Sequence, residues 1–551
     1  WYAHASVGCL HVRPVLNLKL DLDVKAMRAI AEEAFELVRA YKGSHSGEHG
    51  DGIVRSEFHE EMFGARMVQA FEVVKDRFDP TGVLNPGKIV RAPKMDDRRL
   101  FRYAPDYQVQ DFPTRLDWSE WTGAGGGFQG AVEMCNNNGA CRKIEGGTMC
   151  PSYRATRNER DVTRGRANTL RLAISGRIDG DGLASDSVME ALKLCVSCKG
   201  CKRECPTGVD IAKMKIEVMA ARAAQGKLTL RDRFVAYLPR YAPLASRLPW
   251  IMNLRDRLPG AAWMSERVAG FSAKRPLPTW RSDVFKTSGG KIGSTEGREV
   301  VLFADTFNTY FEPENLRAAV SVLTAGGYCI HLAAPVDTIQ RPLCCGRTFL
   351  SAGLVDEARV EVGRVLATLA PFVARGVPVV GLEPSCIFTL RDELQSMLPG
   401  ELSVAVSRHA FMFEEFLARE AEAGRLDLPL KPIGRRAYLH GHCHQKAFGA
   451  MNAVEKVLRL VPELELTTIQ SSCCGMAGAF GYQAETYDVS MQMAELSLLP
   501  ALRGAEPDAI VVADGTSCRQ QIEDGAGRQA MHVARLLERA LTAHGSGAAP
   551  Q

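Results

Sequence analysis

Residues 195–206, CVSCKGCKRECP, place thiols at Cys195, Cys198, Cys201 and Cys205 with Pro206 directly behind. Few sequence features restrict a chain this tightly. Spacings of three residues turn successive sulfurs toward one point, and C-x2-C-x2-C-x3-C-P is the ligand run of a cubane iron–sulfur cluster. The fourth cysteine of such a run usually serves a different cluster from the first three. A zinc site of four cysteines is the competing reading, but zinc prefers two separated ligand pairs and has no use for the terminal Cys-Pro. The first three sulfurs therefore need one more thiolate from elsewhere in the chain.

An upstream segment can supply it. CNNNGACRKIEGGTMCPSY carries Cys135, Cys141 and Cys150, the last followed by Pro151. Set against the downstream run, Asn138 occupies the slot of the middle cysteine. By ferredoxin logic Cys150 joins Cys195, Cys198 and Cys201 around one [4Fe-4S] cluster. Cys135, Cys141 and Cys205 are left as a second site one thiolate short, open to a three-iron cluster, a four-iron cluster with a non-cysteine ligand, or nothing. Arg154, Arg157, Arg160, Arg164, Arg166 and Arg171 follow. They read either as a docking or supporting face for a cluster or, more plainly, as a solvated helix face.

Sixteen cysteines in 551 residues, clustered rather than spread, suit metal ligation in a reducing compartment and not a disulfide framework. A net charge of +4 is too mild to argue for nucleic acid. No apolar run reaches the length of a membrane span, and no signal peptide is evident. A cytoplasmic protein is expected. The segment LPWIMNLRDRLPGAAWM mixes apolar and basic residues, so it suits either packing against a neighbouring domain or peripheral contact with the inner face of the cytoplasmic membrane. Trp1 stands in a strand-like stretch, which reads as part of a larger polypeptide.

Residues 1–92 hold two polar constellations. His4 and His11 lie seven apart, and Glu48, His49 and Asp51 sit in the Gly-rich loop GEHGDG. Between them VKAMRAIAEEAFELVRAYKG has helical apolar periodicity, with Gly43 as its stop. The two constellations would thus flank a strand–helix–loop unit. Two histidines and a carboxylate form a sound ligand set for a divalent transition metal, and a neighbouring histidine can act as a general base. The plainer reading gives these histidines to core and loop hydrogen bonds.

Residues 296–545 contain an internal repeat. The first copy runs from VVLFADT through Cys344, Cys345 and Gly346 to Cys386, and the second from AYLHGHC through Cys473, Cys474 and Gly475 to Cys518. Apolar strands alternate with long helical patterns, which implies two α/β units with short parallel sheets and their cysteines at strand ends. The first copy has Thr306 where the second has Cys443, so Cys443, Cys473, Cys474 and Cys518 are the fuller ligand set. His442 and His444 either support a ligand or serve as ordinary loop polar groups.

These residues carry resemblances. HASVGCLH, SGEHGDG and FDPTGVLNPGKI are similar to motifs of the C-terminal domain of FAD-linked oxidases, nearest to the D-lactate and D-2-hydroxyglutarate dehydrogenases. The stretch Ala5–Cys9 departs from the Gly-Asp-Gly-Asn type of turn more usual there. The resemblance implies His4, His11 and Glu48 as ligands of a divalent Zn or Mn, His49 as the base at C2 of a 2-hydroxy acid, and Asn85 near the flavin or as a turn residue. The cysteine stretches resemble iron–sulfur modules fused behind flavin oxidases, and the repeat resembles the CCG domains of heterodisulfide reductase and of glycolate, lactate and glycerol-3-phosphate oxidising enzymes.

The expectation is a multidomain α+β and α/β chain. It comprises an FAD-linked oxidase C-terminal piece (1–92), a linker (93–130), a helical bis-cluster ferredoxin-like module (131–215), a helical Pro-rich connector (216–295) and two CCG units (296–405 and 406–545). The implied function is oxidation of a D-2-hydroxy acid, D-lactate or D-2-hydroxyglutarate, by FAD bound mostly by upstream sequence. One or two [4Fe-4S] clusters would pass electrons to a quinone, cytochrome or carrier protein, with oligomeric state open. The alternative is a non-catalytic iron–sulfur protein that only transfers electrons.

Overall fold

Tyr2–His4 (β1) and Cys9–His11 (β2) pair antiparallel in a hairpin, with His4 opposite Cys9 and Tyr2 opposite His11. In the computed structural model, residues 1–542 are described except 48, 111, 123–124, 179, 287–289 and 338–340. They divide into two units, Trp1–Val109 and Gln110–Gln551. In the first, Ala5–Val7 forms a single 3-10 turn closed by Gly8 at φ +63°, which joins the two strands. The helix Asp21–Ala40 opens on Asp21 and Asp23, carries Arg39 in its last turn, and stops where Gly43 N donates to Val38 O at 2.8 Å. Its Phe35 packs with Phe58 and Met95 in a small apolar cluster.

The second unit begins with segments that look like a linker by composition but are held down. The buried Glu217 accepts from Arg115 N, Leu116 N and the Trp118 indole at 2.8, 2.8 and 2.9 Å. Three donors on one carboxylate fix residues 115–118 against the helix Ile211–Ala224. The cysteine module that follows is built from short helices. Pro151 starts the helix Pro151–Thr156 at its first turn, where a missing N–H costs nothing. Asp210 caps Ile211–Ala224 by accepting from Lys213 N at 3.0 Å.

Beyond a run of helices from Leu230 to Ala269 lie two sheets. The first has the order β3-β5-β4-β6-β7, with β3 Lys291–Gly293, β4 Glu299–Phe303, β5 Cys329–Leu332, β6 Val379–Gly381 and β7 Ala410–Met412. All its neighbours are parallel except β3. The second has the order β11-β10-β8-β9, all parallel, with β8 Arg435–Leu439, β9 Leu464–Thr468, β10 Ile510–Val512 and β11 Ala530–Met531. Without β3 the two orders are the same in sequence, which makes the internal repeat a structural one. Central strands are buried along their apolar residues, VVLF of β4 and IVV of β10, as parallel strands covered on both faces must be. One apolar cluster contains Val300, Leu302 and Leu316 of the first copy together with Leu439, Val512 and Leu537 of the second. The two copies therefore share a core.

No described helix is long and apolar enough to cross a membrane. Trp250, Ile251, Leu258, Trp263 and Met264 stand exposed here, where packing was one expectation.

Candidate metal and cluster centres

In the first unit the hairpin and the Gly-rich loop meet. His4 and His11 lie diagonally on one face of the hairpin with ring centroids 4.7 Å apart, and His49 stands 6.4 Å from His4 and 5.7 Å from His11. Gly47 permits this approach, since a Cβ there would come within 3.2 Å of Cys9 Sγ. Glu48 lies outside the described residues. Asn85 occupies a left-handed turn position at φ +47°, with its side-chain oxygen accepting from Lys88 Nζ at 3.4 Å. A further residue escapes a reading of spacing alone. His59 is buried, with Nε2 2.7 Å from Asp51 Oδ2 and Nδ1 3.0 Å from Ile89 O. It anchors the loop that carries His49. Its signal in the sequence was only a histidine eight positions beyond the GEHGDG aspartate.

In the second unit Cys150, Cys195, Cys198 and Cys201 are all buried and lie close enough to perturb one another. Burial pushes the Cys150, Cys198 and Cys201 thiols upward, with the Arg166 charge opposing at Cys150. Backbone N–H groups of Thr163, Gly200 and Ile211 reach three of these sulfurs. The Thr163 hydroxyl adds a contact to Cys150 at 3.0 Å. Four buried, mutually facing thiols with N–H donors aimed at them are what a cubane cluster requires of its protein, so the residues fit the group. Gly200 lets the two cysteine segments close, since a Cβ on it would fall 2.9 Å from Met149 N. Ser197 and Lys199 adopt left-handed φ values of +49° and +59°, which wraps the loop.

The loop is bolted to both α/β copies. Lys199, buried, pairs with Asp392 and lies 2.9 Å from Glu393 of the first copy. His444 Nε2 of the second copy sits 3.0 Å from Ser197 O, and the Ser472 hydroxyl donates to Thr148 O at 2.6 Å.

Cys135 and Cys141 are buried beside Cys150, and burial pushes Cys141 up to about 11. Cys205 is half-buried, with its sulfur 3.3 Å from the Thr207 hydroxyl. Asn138 is turned to its own loop, accepting from Ala140 N at 2.8 Å. Two of the six arginines are buried supports. Arg154 donates to Met149 O beside Cys150, and Arg166 donates to Ala191 O and to the Ser152 hydroxyl.

In the second copy the four expected cysteines converge at the carboxyl ends of the strands, the place where such sheets gather ligands. Cys443 and Cys473 are in contact, as are Cys473 with Cys474 and Cys474 with Cys518. The Cys473 contact brings Cys443 down to about 6, and it holds Cys474 well below the usual thiol range. His440 faces the same sulfurs, a residue that spacing did not single out among three histidines. Burial takes its imidazole down to about 4. Cys443 also neighbours Cys198, and both belong to one apolar cluster. The ferredoxin-like thiols and the second-copy thiols therefore adjoin. In the first copy Cys344, Cys345 and Cys386 come together, with Asp305 and Glu383 near Cys386. Thr306 begins the helix after β4 as Cys443 begins the helix after β8.

Comparison with known proteins matches three stretches of the chain to domain families. The family described as FAD linked oxidases, C-terminal domain, matches residues 1–89. The 4Fe-4S dicluster domain matches 131–209, and the cysteine-rich domain matches 437–523. The chain joins three known domains. It is similar along nearly its whole length to the D-2-hydroxyglutarate dehydrogenase of Escherichia coli (strain K12), 26% identical over 98% of this chain and 55% of that protein. It is likewise similar to that of Pseudomonas putida, 28% identical over 97% and 55%. The glycolate oxidase iron-sulfur subunit of Escherichia coli (strain K12) is 24% identical over 74% of this chain and 94% of its own length. The chain spans about half the length of the dehydrogenases it matches.

Proposed function

We propose that this chain forms the substrate-metal and electron-exporting part of an FAD-dependent D-2-hydroxy-acid dehydrogenase. D-2-hydroxyglutarate is the favoured substrate and D-lactate the second choice. The observation that carries the reading is the close approach of the His4, His11 and His49 rings in a chain whose buried thiols converge elsewhere. His4 and His11, with Glu48 by resemblance, would hold a divalent Zn or Mn. Such an ion, when bound, lowers the pKa of a coordinated hydroxyl and grips the substrate carboxylate. His49 takes the proton released as the C2 carbinol becomes a carbonyl. His59 and Asp51 keep the His49 loop in place.

Oxidation to the 2-oxo acid releases two electrons and two protons. FAD, when bound, takes the electrons as a pair, and iron–sulfur centres carry them singly to an acceptor of quinone, cytochrome or carrier-protein type. Cys150, Cys195, Cys198 and Cys201 hold the first such centre, with Cys135, Cys141 and Cys205 as candidates for a second. The protein's part in this relay is burial, since all four cysteines of the first set are buried.

The full-length protein tests this directly. Its flavin absorbance should bleach anaerobically with D-2-hydroxyglutarate and hardly at all with the L-enantiomer. His49→Ala should slow that bleaching by about 10²–10⁴-fold, the usual worth of a positioned general base. A second reading is favoured by the match to the glycolate oxidase iron-sulfur protein, which covers about three quarters of this chain. It makes the chain a carrier of electrons and not the site of their removal. Unchanged hydroxy-acid oxidation in His49→Ala would select it.

A further inference from the structure

A polar knot lies on the seam between the two α/β copies. Leu382 and Glu414 reach it from the first copy, just past β6 and β7. Asp514 and His532 reach it from the second, just past β10 and β11. Glu414, Asp514 and His532 are each 0% exposed. A ring nitrogen and one oxygen from each carboxylate all lie within 4.8 Å of one another. His532 Nε2 stands 3.7 Å from Glu414 Oε1 and 3.6 Å from Asp514 Oδ1. Neither oxygen of Glu414 has a hydrogen-bond partner among the described residues.

Two carboxylates and an imidazole suit a metal ion by type, but this ring is already committed. His532 Nδ1 accepts from Ala534 N at 3.0 Å and caps the helix Val533–Ala540. A neutral imidazole that accepts at Nδ1 carries its proton on Nε2. Leu382 O, 3.1 Å away, takes that proton's hydrogen bond. No lone pair is left for a cation. The ring does not supply positive charge either, since burial lowers its pKa. Among the described residues no Lys or Arg pairs with Glu414 or Asp514. Arg519 is spent on Glu312 at 2.6 Å and on the Ala513 and Asp514 carbonyls. Glu383 accepts from Thr516 N at 2.9 Å, and Glu415, next to Glu414, pairs with Arg391 at 2.6 Å.

Two adjoining buried carboxyls without a counter-charge cannot both ionise. Hydrogen bonds decide which one yields. Asp514 accepts from Gln445 Nε2 at 2.8 Å and from Val533 N at 3.2 Å, one donor on each oxygen, which favours its anion. Glu414 has no donor. Burial first, and then the Asp514 charge, hold its carboxyl well above the usual range.

We propose that Glu414 carries a proton in the closed protein, beside the Asp514 carboxylate, and that this proton makes the seam between the two copies an alkali-sensitive joint. Without it, like charges face each other across the seam, and separation with entry of water relieves them. The joint depends on neither the hydroxy-acid reading nor any cluster. A carboxyl raised on folding gives its full stabilisation below the ordinary glutamate range and loses it as pH rises toward the folded value. Across that window one extra proton on the closed form raises the opening constant about tenfold per pH unit.

Hydrogen exchange of full-length protein, corrected for the intrinsic rate, reads opening of the helices Phe413–Glu422 and Val533–Ala540. Between about pH 6 and 9 their opening constant should climb about tenfold per unit in the unmodified protein and stay level in Glu414→Gln, which is neutral at every pH. The helix Asp21–Ala40 of the first unit is the control and should behave alike in both. Infrared spectra at neutral pH supply a measurement that needs no variant to fold. The unmodified protein should show the carbonyl stretch of a protonated carboxyl, shifted in heavy water. Asp305, raised to about 7, adds a band of its own, so Glu414→Gln should remove only part of the signal. Equal pH slopes in the two proteins would overturn the proposal. So would the absence of any protonated-carboxyl band, or one equivalent of metal bound by the unmodified protein and lost in Glu414→Gln.

Discussion

At the scale of single residues, buried charges are tolerated where they are fully engaged. Glu420 shows this most clearly. Burial would raise its carboxyl, yet Arg425 at 2.8 Å, Arg298 and the Tyr328 hydroxyl at 3.2 Å bring it down to about 2 from an ordinary 4.5. A carboxyl whose folded value lies below its unfolded value stabilises the fold above the unfolded value and loses that contribution as pH falls to the folded one. The stability gap between the natural protein and Glu420→Gln should therefore be full near neutrality and close between about pH 4.5 and 2. Unfolding of both proteins across that range measures it. A gap that persists at pH 2 would mean that packing, not charge, is what the glutamine loses. Lys199 works by the same rule, held by Asp392 and Glu393 from a different part of the chain, which are engaged in turn by Lys202 and Arg347.

At the scale of elements, the helix Ile211–Ala224 joins two tasks. Asp210 caps it, and the same carboxylate lies close enough to oppose ionisation of Cys201. Asn caps a helix about as well as Asp but carries no charge. Asp210→Asn should leave the helix intact and shift the cluster midpoint potential positive in an electron-paramagnetic-resonance redox titration, because reduction adds negative charge at that place. A potential that moves negative or not at all would show that the carboxylate is not felt by the cluster. Elements of this kind were largely legible from sequence. Period and stop signals gave the helix after His11, and the paired CCG motifs gave a repeat that the two matching strand orders make concrete. Individual partners were less so. Which histidine around Cys443 faces the sulfurs depends on where β8 ends, and His59 meets Asp51 only once the chain has turned. Arg154 and Arg166 looked like surface charge because a helical stripe does not reveal which face another loop will cover.

At the scale of the whole molecule, the Cys195–Cys201 loop is a keystone between the two α/β copies, tied to one by Lys199 and to the other by His444. A cluster bound only by the folded form stabilises everything its loop holds. Anaerobic removal of iron from the full-length protein should lower the melting transition of the cysteine-rich unit, and repletion should restore it. Calorimetry with and without a chelator checks this, and an unmoved transition would mean that the thiols are preformed without their inorganic centre. The common core of the two copies has its own consequence. The first copy carries Thr306 where the second carries Cys443, yet its strands still wall off the apolar interior on which the second copy depends. Neither half of the duplicate can therefore be cut away without opening the interior of the other, whichever of them carries chemistry.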